Sequence, residues 1–206
     1  KALRAQINPH FIYNSLNSVQ LLIADNRRVD ALNYTSRFSR LMRRAFEQSV
    51  SPMIPLEDEL ETLRLYLEIE GLRFSGKFDY RIEIDETVNT NQVEIPTMLL
   101  QPIVENSIWH GLMHKATPGT LHIRIRDMGK AVHCEIEDDG VGREAAKQHQ
   151  SGYLKDKSTS GLKVTQQRIE NLNRLYNRKL ALKIIDLYNQ AGDAAGTKVV
   201  LQIPSV

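Results

Sequence analysis

Apolar residues recur along this chain with two different periods. Over residues 1–74 they are spaced by three and four, the spacing of one helix face. After Ser75-Gly76 the spacing drops to two. FDYRIEID sets Phe78, Tyr80, Ile82 and Ile84 on one face, and LHIRIRD and AVHCEIE alternate in the same way. LALKIIDLY and TKVVLQIP close the chain as two further strands, and helical stretches occupy 99–113 and 162–177. Strands interleaved with helices predict a two-layer α/β sandwich. The expected architecture is therefore α+β: a helical region over 1–75, then an α/β domain over 76–206.

Within the helical region Asp25-Asn26 and the segment 49–55 read as breaks. Pro55 suits the first turn of the next helix, and Glu57, Asp58 and Glu59 place negative charge where the helix dipole favours it. Leu56, Leu60, Leu63 and Leu67 then form a narrow stripe suited to packing on another helix. On the first helix Ile12, Leu16, Val19 and Ile23 form the expected apolar stripe, with His10, Asn14 and Asn17 opposite. A hairpin plus a third helix makes a thin core, so a four-helix bundle between two copies, a homodimer, is expected.

Composition narrows the picture modestly. The 206 residues carry a net charge of +2, with 41% hydrophobic and 25% charged residues. That balance is ordinary for a globular protein and gives no reason to expect direct nucleic-acid binding. Arg37, Arg40, Arg43 and Arg44 make the second helix basic, a solvated face or a dock for an acidic partner. Cys134 is the sole cysteine and sits in a strand pattern, where a buried thiol is expected. No apolar run is long enough to cross a bilayer. KALRAQI already reads as helix with no cap before it, so a longer parent with an upstream, membrane-embedded region is expected.

Three segments carry candidate chemistry. His10 lies on a polar helix face, and a neutral imidazole there has one ring nitrogen free for nucleophilic attack. In PIVENSIWHG, Asn106 and His110 share a face; an amide oxygen can coordinate Mg²⁺ and an imidazole one turn on can approach phosphate. Glu105 lies about 100° round the helix. EIEDDGVG ends a strand in an acidic, glycine-rich turn. Asp138 can accept from an exocyclic amine such as adenine N6, while Gly140 and Gly142 permit close ligand approach. Residues 143–160 read as a loop with Lys155 and Lys157 as possible phosphate contacts, and Gly161 as the opening of a helix whose free N–H groups suit phosphate.

NPHFIYNSLN resembles the phosphoacceptor box of the LytS/YehU-type sensor histidine kinases, and PLEDELETLRLYLEIEGLRF resembles the leucine-rich helix that follows it there, ending in Arg73-Phe74. The ENSIWHG helix followed by EDDGVG looks like the first boxes of the Bergerat-fold ATPases, which include histidine kinases, Hsp90 and gyrase B. The resemblance implies autophosphorylation of His10 with ATP and Mg²⁺, Glu105 as helper, an ATP lid over 143–160, and transfer to a response-regulator aspartate. It implies that Thr197, after Gly196, supports adenine through the aspartate. It also implies a place at the cytoplasmic face of a bacterial inner membrane. Phe11 stands where many histidine kinases have an acidic residue beside the histidine. The second glycine box, usually GxGLxN, reads TSGLKV, with Thr159 for a glycine and Val164 for the asparagine. Those departures motivate an alternative, an ATP-responsive or nucleotide-free dimeric scaffold with a degenerate pocket.

Overall fold

The computed structural model describes residues 9–148 and 155–204. Helices α1 (Pro9–Ala24) and α2 (Arg28–Gln48) form the hairpin, turned at Asn26, whose left-handed φ of 58° suits asparagine. Strand β1 (Met53–Pro55) and α3 (Leu56–Arg73) follow. Then come β2 (Phe78–Ile84), β3 (Glu94–Pro96) and the short helix α4 (Gln101–Asn106). The chain continues from α4 into a π-helical turn, Ser107–Gly111, and a 3-10 turn, Leu112–His114. Strands β4 (Gly119–Asp127) and β5 (Ala131–Asp138), helices α5 (Gly142–Gln148) and α6 (Lys155–Tyr176), and strands β6 (Ala181–Tyr188) and β7 (Ala194–Pro204) complete it.

The main sheet has the order β2-β4-β5-β7-β6, antiparallel except for the parallel β2–β4 pair. The period of two sorts its faces. Leu121, Ile123, Ile125, Cys134, Ile136, Val199 and Leu201 point inward and are buried. On the other face Arg124 pairs with Glu137 at 3.0 Å and Lys198 with Glu135 at 2.7 Å, a half-buried charge ladder. Burial pushes the Cys134 thiol well up, so it is an inert core residue. The helical region followed by a helix-covered sheet is the α+β architecture expected from the periodicity.

Three expectations change. Helix α3 buries more than its leucine stripe: Glu59, Thr62, Tyr66, Ile69 and Glu70 are buried beside Leu56, Leu60, Leu63 and Leu67, and solvent reaches mainly the face of Glu57, Glu61, Arg64 and Glu68. The side of α1 that packs inside the chain is centred on Phe11 and Ser15, not on the Ile12–Leu16–Val19–Ile23 stripe. Phe11 rests 5.3 Å from the Tyr66 ring and 6.1 Å from Phe38, whereas Leu16 and Ile23 are 50% and 59% exposed. The segment after Val141 is not all loop, since α5 forms at once and α6 starts at Lys155.

Candidate nucleotide site

The site is built on the inner end of β5. Residues 132, 134 and 136 point into the core, so the same alternation sends Asp138 inward at the strand's last position. It is 2% exposed, and β7 sets Thr197 directly opposite. Gly140 N–H donates to Asp138 Oδ1 at 3.0 Å, and the Ser107 hydroxyl and Thr197 N–H face the same carboxylate. Burial outweighs these bonds and raises its pKa to about 6. Gly140 is required by a close approach: a Cβ there would stand 2.4 Å from the Gly111 carbonyl carbon, at the end of the π turn.

A cavity of about 260 Å³ opens above this carboxylate. Asn106, His110, Asp138, Gly142 and Thr197, all singled out in the sequence, line it together. Gly140, also singled out, does not line the cavity but packs behind it against Gly111 and Asp138, which do. Asn106 Nδ2 donates to the Pro102 carbonyl at 2.7 Å, which leaves the amide oxygen available for a hard cation. Among the described residues no group of three or more His, Cys, Asp or Glu is placed to hold a metal ion. A cation here needs most of its ligands from a bound phosphate or water. Burial, then the nearby His114, lowers the His110 pKa, so its imidazole is neutral at pH 7 and acts by hydrogen bonding rather than by charge.

The frame around α4 is rigid. The Glu59 carboxylate, buried on α3, accepts the N–H groups of Met98 at 2.8 Å and Leu100 at 2.9 Å. These are orphan donors of the approach to α4, so Glu59 acts as its anionic cap. From α6, Arg168 donates to the carbonyls of Thr97 and of Met98, whose φ is 54°. The helix bearing Asn106 is thereby tied to α3 on one side and to α6 on the other.

Other expected residues stand elsewhere. Glu105 is not on the cavity wall; it accepts from Gln101 Nε2 at 3.0 Å and faces Tyr66 and Glu70 of α3. His10 is the second residue of α1, and its side chain lies outside the described residues. Lys155, Lys157 and Thr159 fall in the stretch whose side chains are likewise not described. Gly161 does not open a helix: α6 begins at Lys155, so the free N–H groups belong to its first turn and the Gly161 amide lies inside the ladder. Sequence reading missed Ser107, Arg143, Lys163 and Gln166, which also line the cavity. Arg143 is held by a bidentate pair with Asp186 at 2.6 and 2.5 Å. Ser107 follows Asn106 directly, and both line the cavity.

An inward aspartate at a strand end, an asparagine helix beside it and a cavity between them mark one end of this α/β sandwich, and the comparisons identify the class to which the fold belongs. A family model described as histidine kinase matches residues 1–78. The sensor protein LytS of Bacillus cereus is 30% identical over 205 residues, covering 99% of this chain and 33% of LytS. The sensor histidine kinase BtsS of Escherichia coli is 37% identical over 142 residues, covering 69% of this chain and 24% of BtsS. The catalytic domain of histidine kinase ThkA, solved nucleotide-free, shares the fold, with a TM-score of 0.50 at 17% identity over 74% of this chain and 95% of that one. The chain belongs to the LytS-type sensor histidine kinases. It spans about a third or less of the length of these curated relatives. No helix among the described residues is long and apolar enough to cross a membrane.

Proposed function

We propose that this chain is the catalytic core of a sensor histidine kinase, which transfers the γ-phosphoryl group of ATP to His10 and then to an aspartate of a response regulator. The observation that carries the reading is the convergence of Asn106, His110, Asp138 and Thr197 on one cavity, in a chain that also carries the NPHF histidine. Asp138 accepts the adenine amine while Ser107 and the Gly140 and Thr197 amides hold its carboxylate in place. The Asn106 oxygen fits the cation that accompanies the phosphates. Mg²⁺ there supplies charge neutralisation of the phosphates. His110 hydrogen-bonds as a neutral imidazole. His10 forms the N–P bond as the bond to the leaving ADP oxygen breaks, and the proton on its other ring nitrogen passes to Glu105.

Residues 1–75 serve as the dimerisation and phosphoacceptor region and 76–206 as the ATP-binding domain. Two exposed rows on the hairpin support a homodimer: Leu16 and Ile23 on α1, and Leu32 and Phe46 on α2. A second copy burying these side chains would complete a four-helix bundle. The parent protein is placed at the cytoplasmic face of the bacterial inner membrane, with an upstream membrane sensor. Calorimetric titration with ATP tests the pocket. Binding that tightens with Mg²⁺, and loses that dependence in Asn106→Ala, supports the kinase reading. Absence of ATP binding favours the dimeric scaffold suggested by Thr159 and Val164.

A further inference from the structure

The kinase reading leaves Arg143 without a part, although it lines the cavity. It is the second residue of α5, directly after Gly142, and α5 packs on β7 and on the edge strand β6. The approach is close: a Cβ on Gly142 would stand 2.9 Å from the Ala194 Cβ. Arg143 Nε and Nη2 donate to Asp186 Oδ1 and Oδ2 at 2.6 and 2.5 Å. Strand register fixes where this pair stands. Thr197 of β7 lies opposite Asp138 of β5 on one side and opposite Asp186 of β6 on the other. Residues opposite one another on antiparallel strands share a face. Asp138, Thr197 and Asp186 therefore form one row across the inward face. Asp186 is two strand spacings, roughly 10 Å, from Asp138.

The next row inward is apolar. Ile136, Val199 and Ile184 stand opposite one another in the same way, and the last two line the cavity. A flat base anchored by its amine on Asp138 thus lies over Thr197 and Val199, with the Arg143–Asp186 pair on its far side. Asp138 alone does not choose the base, because adenine and cytosine both present an exocyclic amine. Distance separates them: a two-ring purine extends further toward β6 than a one-ring pyrimidine held at the same point. The pairing also decides what Arg143 offers a ligand. Asp186 matches its charge, so the pair exerts little net pull on phosphates. Two parallel bonds occupy one edge of the guanidinium and fix its orientation, which leaves its plane. Such a plane stacks on aromatic faces in a way that a lysine ammonium does not. The cation that accompanies the phosphates belongs at Asn106, on the α4 wall, which packs on α6.

We propose that Arg143, held by Asp186, is a specificity-determining residue of the nucleotide site: its guanidinium plane stacks on the second ring of a purine and so selects ATP over CTP. The inference rests on the reading of Asp138 as the acceptor of the base's amine. Arg143 makes no contact with the phosphates, which both nucleotides share.

The test measures dissociation constants for ATP and, by displacement, for CTP, both with Mg²⁺, in wild type, Arg143→Met and Arg143→Lys. Arg143→Met keeps an unbranched side chain and loses charge and plane. Arg143→Lys keeps a cation for Asp186 and loses the plane. In both variants ATP binding weakens about three- to thirtyfold, the range of a cation–π contact, while CTP binding stays within about twofold. The preference for ATP shrinks by the same factor. Equal losses for ATP and CTP, the mark of a phosphate contact or a disturbed pocket, overturn the proposal. ATP binding within about twofold of wild type overturns it too. If Arg143→Met does not fold, Arg143→Lys decides by the same criteria. A wild type that binds ATP and CTP equally well overturns the role of Arg143 and leaves the nucleotide site standing. A wild type that binds neither removes the reading of Asp138 as well.

Discussion

Replacing Asp138 by asparagine exchanges stability for function in a calculable way. Burial raises this carboxyl from its ordinary 3.8 to about 6. A carboxyl raised on folding contributes stability that is complete below the unfolded value and is lost as pH climbs through the folded one. The loss therefore runs from about pH 3.8 to somewhat above pH 6, and it totals about 3 kcal/mol once the group is ionised. Between about pH 4.5 and about pH 8 some 2 kcal/mol of this should appear. Asparagine cannot ionise, so denaturant unfolding of the ATP-free protein should show Asp138→Asn gaining on wild type by that amount as pH rises. The lost acceptor toward Ser107 or Thr197 offsets a constant part of the gain, roughly 1–3 kcal/mol, but not its pH dependence. Glu70, also raised by burial, titrates in both proteins and cancels in the difference. The same substitution removes a charged acceptor from the proposed adenine site, at a cost of about 1.5–3 kcal/mol, or roughly ten- to hundredfold in ATP affinity. A stability difference that does not change with pH, or that favours wild type more at high pH, would refute the assigned environment of Asp138.

Other parts of the structure predict equally definite outcomes. Glu59→Gln keeps one acceptor for two buried N–H donors, so unfolding experiments should show a loss of about 1–3 kcal/mol, together with weaker ATP binding because α4 loses its cap. In Gly196→Ala a Cβ would stand 1.9 Å from the Asp138 carbonyl oxygen, and the φ of 130° disfavours any side chain. Circular dichroism melts should show severe destabilisation, whereas Gly71→Ala, with open space around its Cβ position, should be tolerated. Leu16→Asp combined with Leu32→Asp should convert the proposed dimer to monomer in light scattering, without lowering the isolated chain's helix content, since both side chains are exposed within one chain.

The sheet and its carboxylate were legible because a strand's alternation carries through to its last residue. Val132, Cys134 and Ile136 fix the inward face of β5, and Asp138 inherits it. The pairing of Asn106 with His110 followed from helical spacing in the same way. The first hairpin was harder to read because α1 carries apolar residues on two sides. A wheel does not say whether the Phe11 side or the Leu16 side is covered within the chain, and the structure covers Phe11. Helix α3 misled because Glu59 and Glu70 count as polar in any periodicity. Glu59 is buried by capping α4, and Glu70 faces Arg73 beneath the Trp109 ring. Ser107 was hidden because nothing in the ENSIWHG segment marks a lone serine as a partner of Asp138, which is distant in sequence and meets it only in the fold.

The central claim is that this cavity delivers a phosphoryl group to His10. The most direct measurement incubates the protein with Mg²⁺ and γ-labelled ATP, beside His10→Ala. The account predicts acid-labile, base-stable label on wild type and none on His10→Ala, with ATP affinity the same in both. Equal labelling of the two proteins, or an unlabelled wild type that binds ATP normally, would contradict it.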